Sequence, residues 1–203
     1  PLSNWNITNG QYWAAKASFS GTKISVANNT VLLIGEQLGI GYMLYKNFLT
    51  MDNVEITVPK GKTLEFIICD YGTIKDYDNV VLKNITIKGG GQVSFISGGS
   101  IAVNSIKSVD NSRILFIANK NLNMSDPFIN ADKQLDGGCF LSSAGNMQML
   151  VSSNAAAAFY GQMQSAGLIS IGGQSGGTGK LVLRFNKIGE KLKMPNMYYL
   201  KAA

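Results

Sequence analysis

Asp70, Asp76 and Asp78 crowd one short stretch, with Tyr71 and Tyr77 set among them. Cleaving a glycosidic bond by hydrolysis takes two carboxyl groups flanking it, roughly 5–9 Å apart. An aromatic ring beside such a pair gives a pyranose an apolar face to stack on. Asp70, Asp76 and Asp78 are therefore the candidate catalytic acids, and Tyr71 and Tyr77 candidate ligand-binding residues. The same sequence suits a solvated loop in which Asp76 and Asp78 bond their own backbone at turns. A lyase would instead need a base working near neutral pH, drawn from Lys, Arg or Tyr when His is missing. Lys75 and Lys83 are available for that role, but nothing in their surroundings marks them. The aspartate spacing lacks the glycine and terminal glutamate of a calcium loop, so no metal site is expected, and no cofactor.

A second aromatic group, Trp5, Tyr12 and Trp13, lies near the start of the chain. It reads either as a ligand-binding platform or as a cover for an open end of the fold. Histidine is absent from all 203 residues. That removes Ser-His-Asp and Cys-His triads, histidine acid–base catalysis and most zinc chemistry. Cys69 and Cys139 sit in apolar contexts and read as small buried side chains, with a disulfide as the alternative.

Charged residues make up 15% of the chain, below the roughly 25% of an average domain. Gly, Ser, Asn and Thr take their place, a texture common in extracellular β proteins and viral fibres. The formal net charge of +6 is compatible with an anionic partner such as acidic polysaccharide, lipopolysaccharide or nucleic acid. No nucleic-acid recognition motif is present, so nucleic acid is not expected. The longest apolar run, Val31 to Ile34, is far short of a spanning helix, and no membrane insertion is expected. The chain opens Pro-Leu-Ser-Asn without a signal peptide and reads as a processed or truncated piece.

Short β-branched segments follow one another from residue 52. They are Val54–Val58, Leu64–Ile68, Val80–Leu82, Ile85–Ile87, Val93–Ile96, Ile101–Val103, Ile106–Val109 and Ile114–Ile117. Gly, Asn, Asp or Lys-Gly separates them, and helical spacing is never sustained. Asp52-Asn53, Asp78-Asn79 and Asp110-Asn111 each open an apolar alternation, and this recurrence predicts a solenoid. Three regions result: an irregular capping segment 1–51, regular coils over 52–125, and a β-rich 126–203 with a possible oligomerisation role. Within the last, Ser152 to Tyr160 is open between a helix capped by Ser153 or Asn154 and tightly stacked small residues. Lys180 to Phe185 reads as a final strand.

The run Asn79-Val80-Val81-Leu82-Lys83-Asn84-Ile85-Thr86-Ile87-Lys88-Gly89 resembles the coils of the pectin-lyase-like superfamily of right-handed parallel β-helices. The resemblance covers about a third of the chain. It implies an all-β, right-handed parallel β-helix with a less regular C-terminal β region, Asn79 and Asn84 at bends, and Gly89 to Gly91 turning the chain. Within that superfamily the low-charge, histidine-free texture is most similar to bacteriophage tail spike and tail fibre proteins. Such a likeness implies a homotrimer in the virion, outside the cell, that attaches to host cells by binding surface polysaccharide: lipopolysaccharide, capsule or teichoic acid. A β-helical polysaccharide depolymerase, hydrolase or lyase, is the second expectation, and the passenger segment of a secreted bacterial adhesin the third.

Overall fold

The computed structural model describes residues 4–7, 10–35, 48–69, 78–129, 137–152, 154–173 and 178–193. In chain order the strands are β1 (Asn4–Ile7), β2 (Gly10–Ala14), β3 (Ala17–Ser20), β4 (Lys23–Val26), β5 (Thr30–Gly35) and β6 (Leu49–Thr57). Next come β7 (Thr63–Cys69), β8 (Asp78–Lys88), β9 (Gln92–Ser97), β10 (Ser100–Ser108), β11 (Arg113–Ala118) and β12 (Leu122–Ser125). The last six are β13 (Phe128–Ile129), β14 (Gly138–Ser143), β15 (Met147–Val151), β16 (Ala156–Ser165), β17 (Ile169–Gly173) and β18 (Lys180–Phe185). A short 3-10 turn, Ile188–Lys191, is the helical element among the described residues.

The expectation of an all-β chain holds, and the strands pair in parallel in one large sheet. Pairing runs along three ladders. Ladder I joins β1, β4, the second half of β6, then β8, β10, β13, β16 and β18. Ladder II joins β3, the first halves of β6, β8 and β10, then β12, β15 and β17. Ladder III joins β2, β5, β7, β9, β11, β14 and the second half of β16. The chain passes through II, I and III in turn and begins again.

On five passes a residue with left-handed backbone makes the bend from ladder II into ladder I. Gly21, Asn53, Asn84, Ser105 and Asp126 occupy that corner on successive passes, with φ of 60°, 54°, 53°, 61° and 47°. Left-handed backbone suits Gly, Asn and Asp, whose side chains tolerate it at least cost. The corner side chains also bond between passes: Asn84 Nδ2 donates to Asp52 Oδ1 at 3.3 Å, and the Asp126 carboxylate accepts from the Ser152 amide at 2.7 Å and from its hydroxyl. Val80–Leu82 and Ile85–Ile87, expected as two strands, are thus one strand bent at Asn84. Gly89 and Gly90, with φ of 96° and 76°, turn the chain toward ladder III as expected.

Alternate side chains from all three ladders meet in one core. Leu49, Val80, Ile101, Leu122 and Met147 form one row across ladder II, all buried. Phe66, Phe95 and Phe116 form a row across ladder III, their rings stacked at centroid distances of 5.1 and 5.2 Å. Ladder III is buried on its outer face as well: Ile67, Ile96, Leu115 and Phe140 are each 4% exposed or less. Burial on both faces explains why its strands read as unbroken apolar runs, Phe66-Ile67-Ile68 and Leu115-Phe116-Ile117, in place of alternation. Ile188 and Leu192 cover Leu115 and Phe140. Beyond them Lys193 pairs its backbone with the Gln92 amide, at 2.8 Å through its N–H and 2.7 Å through its carbonyl. Residues 186–193 therefore form a strap running back along ladder III from its far end.

Strand pairing bears on three further points. Strand pairing crosses residues 52 and 125 without a break, so β2–β5 and β14–β18 belong to the same ladders as the central strands. The Asp-Asn pairs do not share a row: Asp52 pairs with Lys83, the Asp78 position pairs with Ser100, and Asp110-Asn111 lies at another corner. The true register puts Val81, Ala102 and Asn123 side by side, 21 residues apart. Residues 156–165 form a strand, which resolves the helix alternative; Ala157 and Phe159 are drawn into the core at 4% and 1% exposure.

Candidate binding surface

Each described acid has an identifiable place. Asp52 accepts from Asn84 and Asp110 from the Gly89 amide at 3.3 Å. Asp126 holds Ser152. Glu55 pairs with Lys88 at 2.9 Å and Glu190 with Lys187 at 3.6 Å. These carboxylates serve corners and surface pairs. Asp70, Tyr71, Asp76 and Tyr77 lie outside the described residues. Asp78 opens β8 at the start of ladder II, in register with Ser100. Among the described residues no group of three His, Cys, Asp or Glu side chains comes together as metal ligands would.

Glu65 is the exception among the acids. It points from the outer face of ladder III between Val31 and Ser94 and is 8% exposed. Burial withholds water from the charged form and raises its pKa above the ordinary glutamate range. Between the ordinary and the raised value the folded chain keeps a proton that the unfolded chain has lost. Stability therefore falls as pH rises through that window and stays lower above it. Glu65→Gln should melt higher than the parent at pH 7, and the two should converge at about pH 3, below the usual glutamate pKa. A variant melting lower than the parent at neutral pH would contradict this account. Cys139 is a free, fully buried thiol whose pKa burial pushes well up, as its apolar context suggested.

The N-terminal aromatics divide. Trp5 heads the row that continues through Ile24 and Ile56 in ladder I. Its ring stacks on Phe19 at 5.3 Å and meets Tyr12 edge-on at 6.2 Å. Trp13, in β2, leaves 57% of its surface in water. Trp5 thus packs on the core beside the first strands, and Tyr12 and Trp13 present exposed ring surface.

A recess lies on the outer face of ladder II. It is a groove of about 310 Å³ lined by Val81, Lys83, Ala102, Asn104, Asn123 and Ser125, with backbone from Leu82 and Val103. Parallel pairing positions every lining group. Val81, Ala102 and Asn123 form one cross-strand row, and Lys83, Asn104 and Ser125 the next outward row. Short side chains at 81 and 102 leave the floor low and apolar. Beside Val81 and Ala102 the groove presents two amides, a hydroxyl and an ammonium, and no carboxylate lines it. Amides and hydroxyls both donate and accept, so they can pair with vicinal sugar hydroxyls, while Lys83 adds attraction for acidic groups. In the sequence Lys83 reads only as a candidate base. The signal for the groove is the small and polar residues recurring 21 apart, visible only once register is known.

No protein-family model, curated protein or solved structure matches the chain.

Proposed function

We propose that the chain is a right-handed parallel β-helix acting as a tail spike or tail fibre-type domain that binds bacterial cell-surface polysaccharide. The observation that carries this reading is the ladder II groove. It meets three successive passes of the chain, sets polar side chains beside the apolar Val81 and Ala102, and is free of carboxylates. Such a surface suits an extended, hydroxyl-rich and partly anionic polymer. The net charge of +6 favours the same partners: lipopolysaccharide, capsule or teichoic acid. The fixed II, I, III order of the ladders supports the β-helix, and the crossover preference of parallel sheets supports its right-handedness. The homotrimer and the virion setting rest on the likeness of the low-charge, histidine-free texture to tail spike and tail fibre proteins.

The test is to fill the groove. Ala102 points outward, so Ala102→Trp occupies the floor without entering the core. Calorimetry against purified capsule, lipopolysaccharide and teichoic acid should show at least about tenfold weaker binding for the variant, a loss of about 1.4 kcal/mol. Equal affinity in parent and variant removes the groove from the proposal. Release of reducing ends or unsaturated sugar by the parent would move the reading to a depolymerase, with Asp70, Asp76 and Asp78 as the acids to mutate. A light-scattering mass near one chain of 21.8 kDa, in place of three, would favour the adhesin passenger.

A further inference from the structure

Three cations surround one small recess where the chain turns from ladder I into ladder III. Lys62, Arg113 and Lys193 line it with Thr63 and Gln92, and its volume is about 10 Å³. That is room for one water or one oxygen atom. Arg113 gives one guanidinium N–H to the Lys191 carbonyl at 2.6 Å, but its Nε is buried with no acceptor among the described residues. Lys62 reaches only the Asn28 amide oxygen, at 3.5 Å, and Lys193 the Gly61 carbonyl, at 3.1 Å. The two described ion pairs involve none of these three cations. A buried charged donor without an acceptor is costly, and two further like charges lining the same recess add repulsion. One anionic oxygen would relieve both.

We propose that this recess binds one oxygen of an oxyanion (sulfate, phosphate or carboxylate), with the remainder of the group in solvent. Arg113 donates from Nε, and Lys62 and Lys193 supply charge from either side. The recess is completed by the strap, because Lys193 belongs to it and Arg113 holds the neighbouring carbonyl. Anion binding and strap docking are therefore linked: an anion held only by the docked form stabilises that form. The site lies on a different ladder from the groove, so it stands or falls independently of polysaccharide binding there.

The Lys193 amide reports docking directly, since its N–H is held by Gln92 Oε1 at 2.8 Å. Its hydrogen exchange should slow about tenfold in sulfate at ten times the dissociation constant, relative to sodium chloride of equal ionic strength. The Lys62 ammonium bonds Asn28 and no strap residue, so Lys62→Gln should cut the slowing to less than about twofold while the strap still docks. Arg113→Gln should abolish it. An oligosaccharide of uronic acids forms a second arm: protection by sulfate alone identifies a free-ion site, and protection by the sugar a carboxylate site. Equal slowing in chloride and sulfate, no slowing with either ligand, or full slowing in Lys62→Gln overturns the proposal. A water bridging Arg113 Nε to the buried, unpartnered Asn111 Oδ1 would give that anion-independent result.

Discussion

Phe95→Ala should cost about 3–5 kcal/mol of stability, read as a lower urea midpoint at unchanged slope. Phe95 is the middle ring of the Phe66–Phe95–Phe116 column and is fully buried. It stacks on both neighbours, at 5.1 and 5.2 Å, so truncation removes two ring–ring contacts as well as the transfer energy of the side chain. Collapse cannot fill the resulting space. The strands on either side are fixed by continuous parallel hydrogen bonding, from Thr63↔Gln92 through Ala118↔Ser97, and cannot close in. Phe95→Leu keeps most of the volume and should lose less than half as much. A loss under about 1 kcal/mol for the alanine variant would mean that the column is loosely packed and that the register is wrong.

Gly161→Ala should be as damaging, for a different reason. At this residue β16 leaves ladder I, where Tyr160 pairs with Arg184, and joins ladder III, where Gly161 pairs with Cys139. The bend presses the glycine onto the opposite backbone. An added Cβ would stand 1.8 Å from the Cys139 carbonyl oxygen and 2.8 Å from its carbon. Backbone at that distance cannot rotate away as a side chain can, so the β14–β16 pairing must part. The expected loss is at least about 3 kcal/mol, at the large end for single substitutions. A second readout follows from the partner. Cys139 is fully buried, and its reaction with a thiol reagent should accelerate in the variant relative to the parent. Gly172→Ala is the control, because nothing lies within 4 Å of its added carbon. It should stay within about 0.5 kcal/mol. A Gly161→Ala protein as stable as the Gly172→Ala one would show that β16 does not make this turn.

The two variants probe features of unequal legibility. The apolar character of Phe66, Phe95 and Phe116 is plain in the sequence. Their alignment is not, since they stand 29 and 21 residues apart and only the registers Phe66↔Phe95 and Phe95↔Phe116 set them in one column. Unequal spacing arises because corners absorb extra residues while the ladders keep step. The same freedom made the Asp-Asn recurrence misleading: a dipeptide that favours turns occurs at any corner and does not mark one. Gly161 carried no sequence signal of its own, because the bend depends on a partner strand 22 residues earlier.

Glu65 makes the point for single side chains. By alternation along β7 it faces outward, as Thr63 and Ile67 do, and an outward glutamate is ordinarily solvated. Its burial follows from what covers ladder III from outside, which no local pattern encodes. The groove is similar. Val81, Ala102 and Asn123 are unremarkable neighbours in sequence and become a surface only when set side by side.

The sequence by itself determined the all-β class, through β-branched alternation in short segments. It also determined two kinds of corner, through Asn at left-handed positions and paired glycines after Lys88, and it excluded histidine chemistry by composition. These are local properties, set by each residue's own backbone and side-chain preferences. Tertiary structure alone decided the register of the ladders, the burial of ladder III on both faces, the groove on ladder II and the cationic recess beneath the strap. Each of these joins residues about 20 to 130 positions apart, and hydrogen bonding between successive passes of the chain, more than any short motif, brings them together.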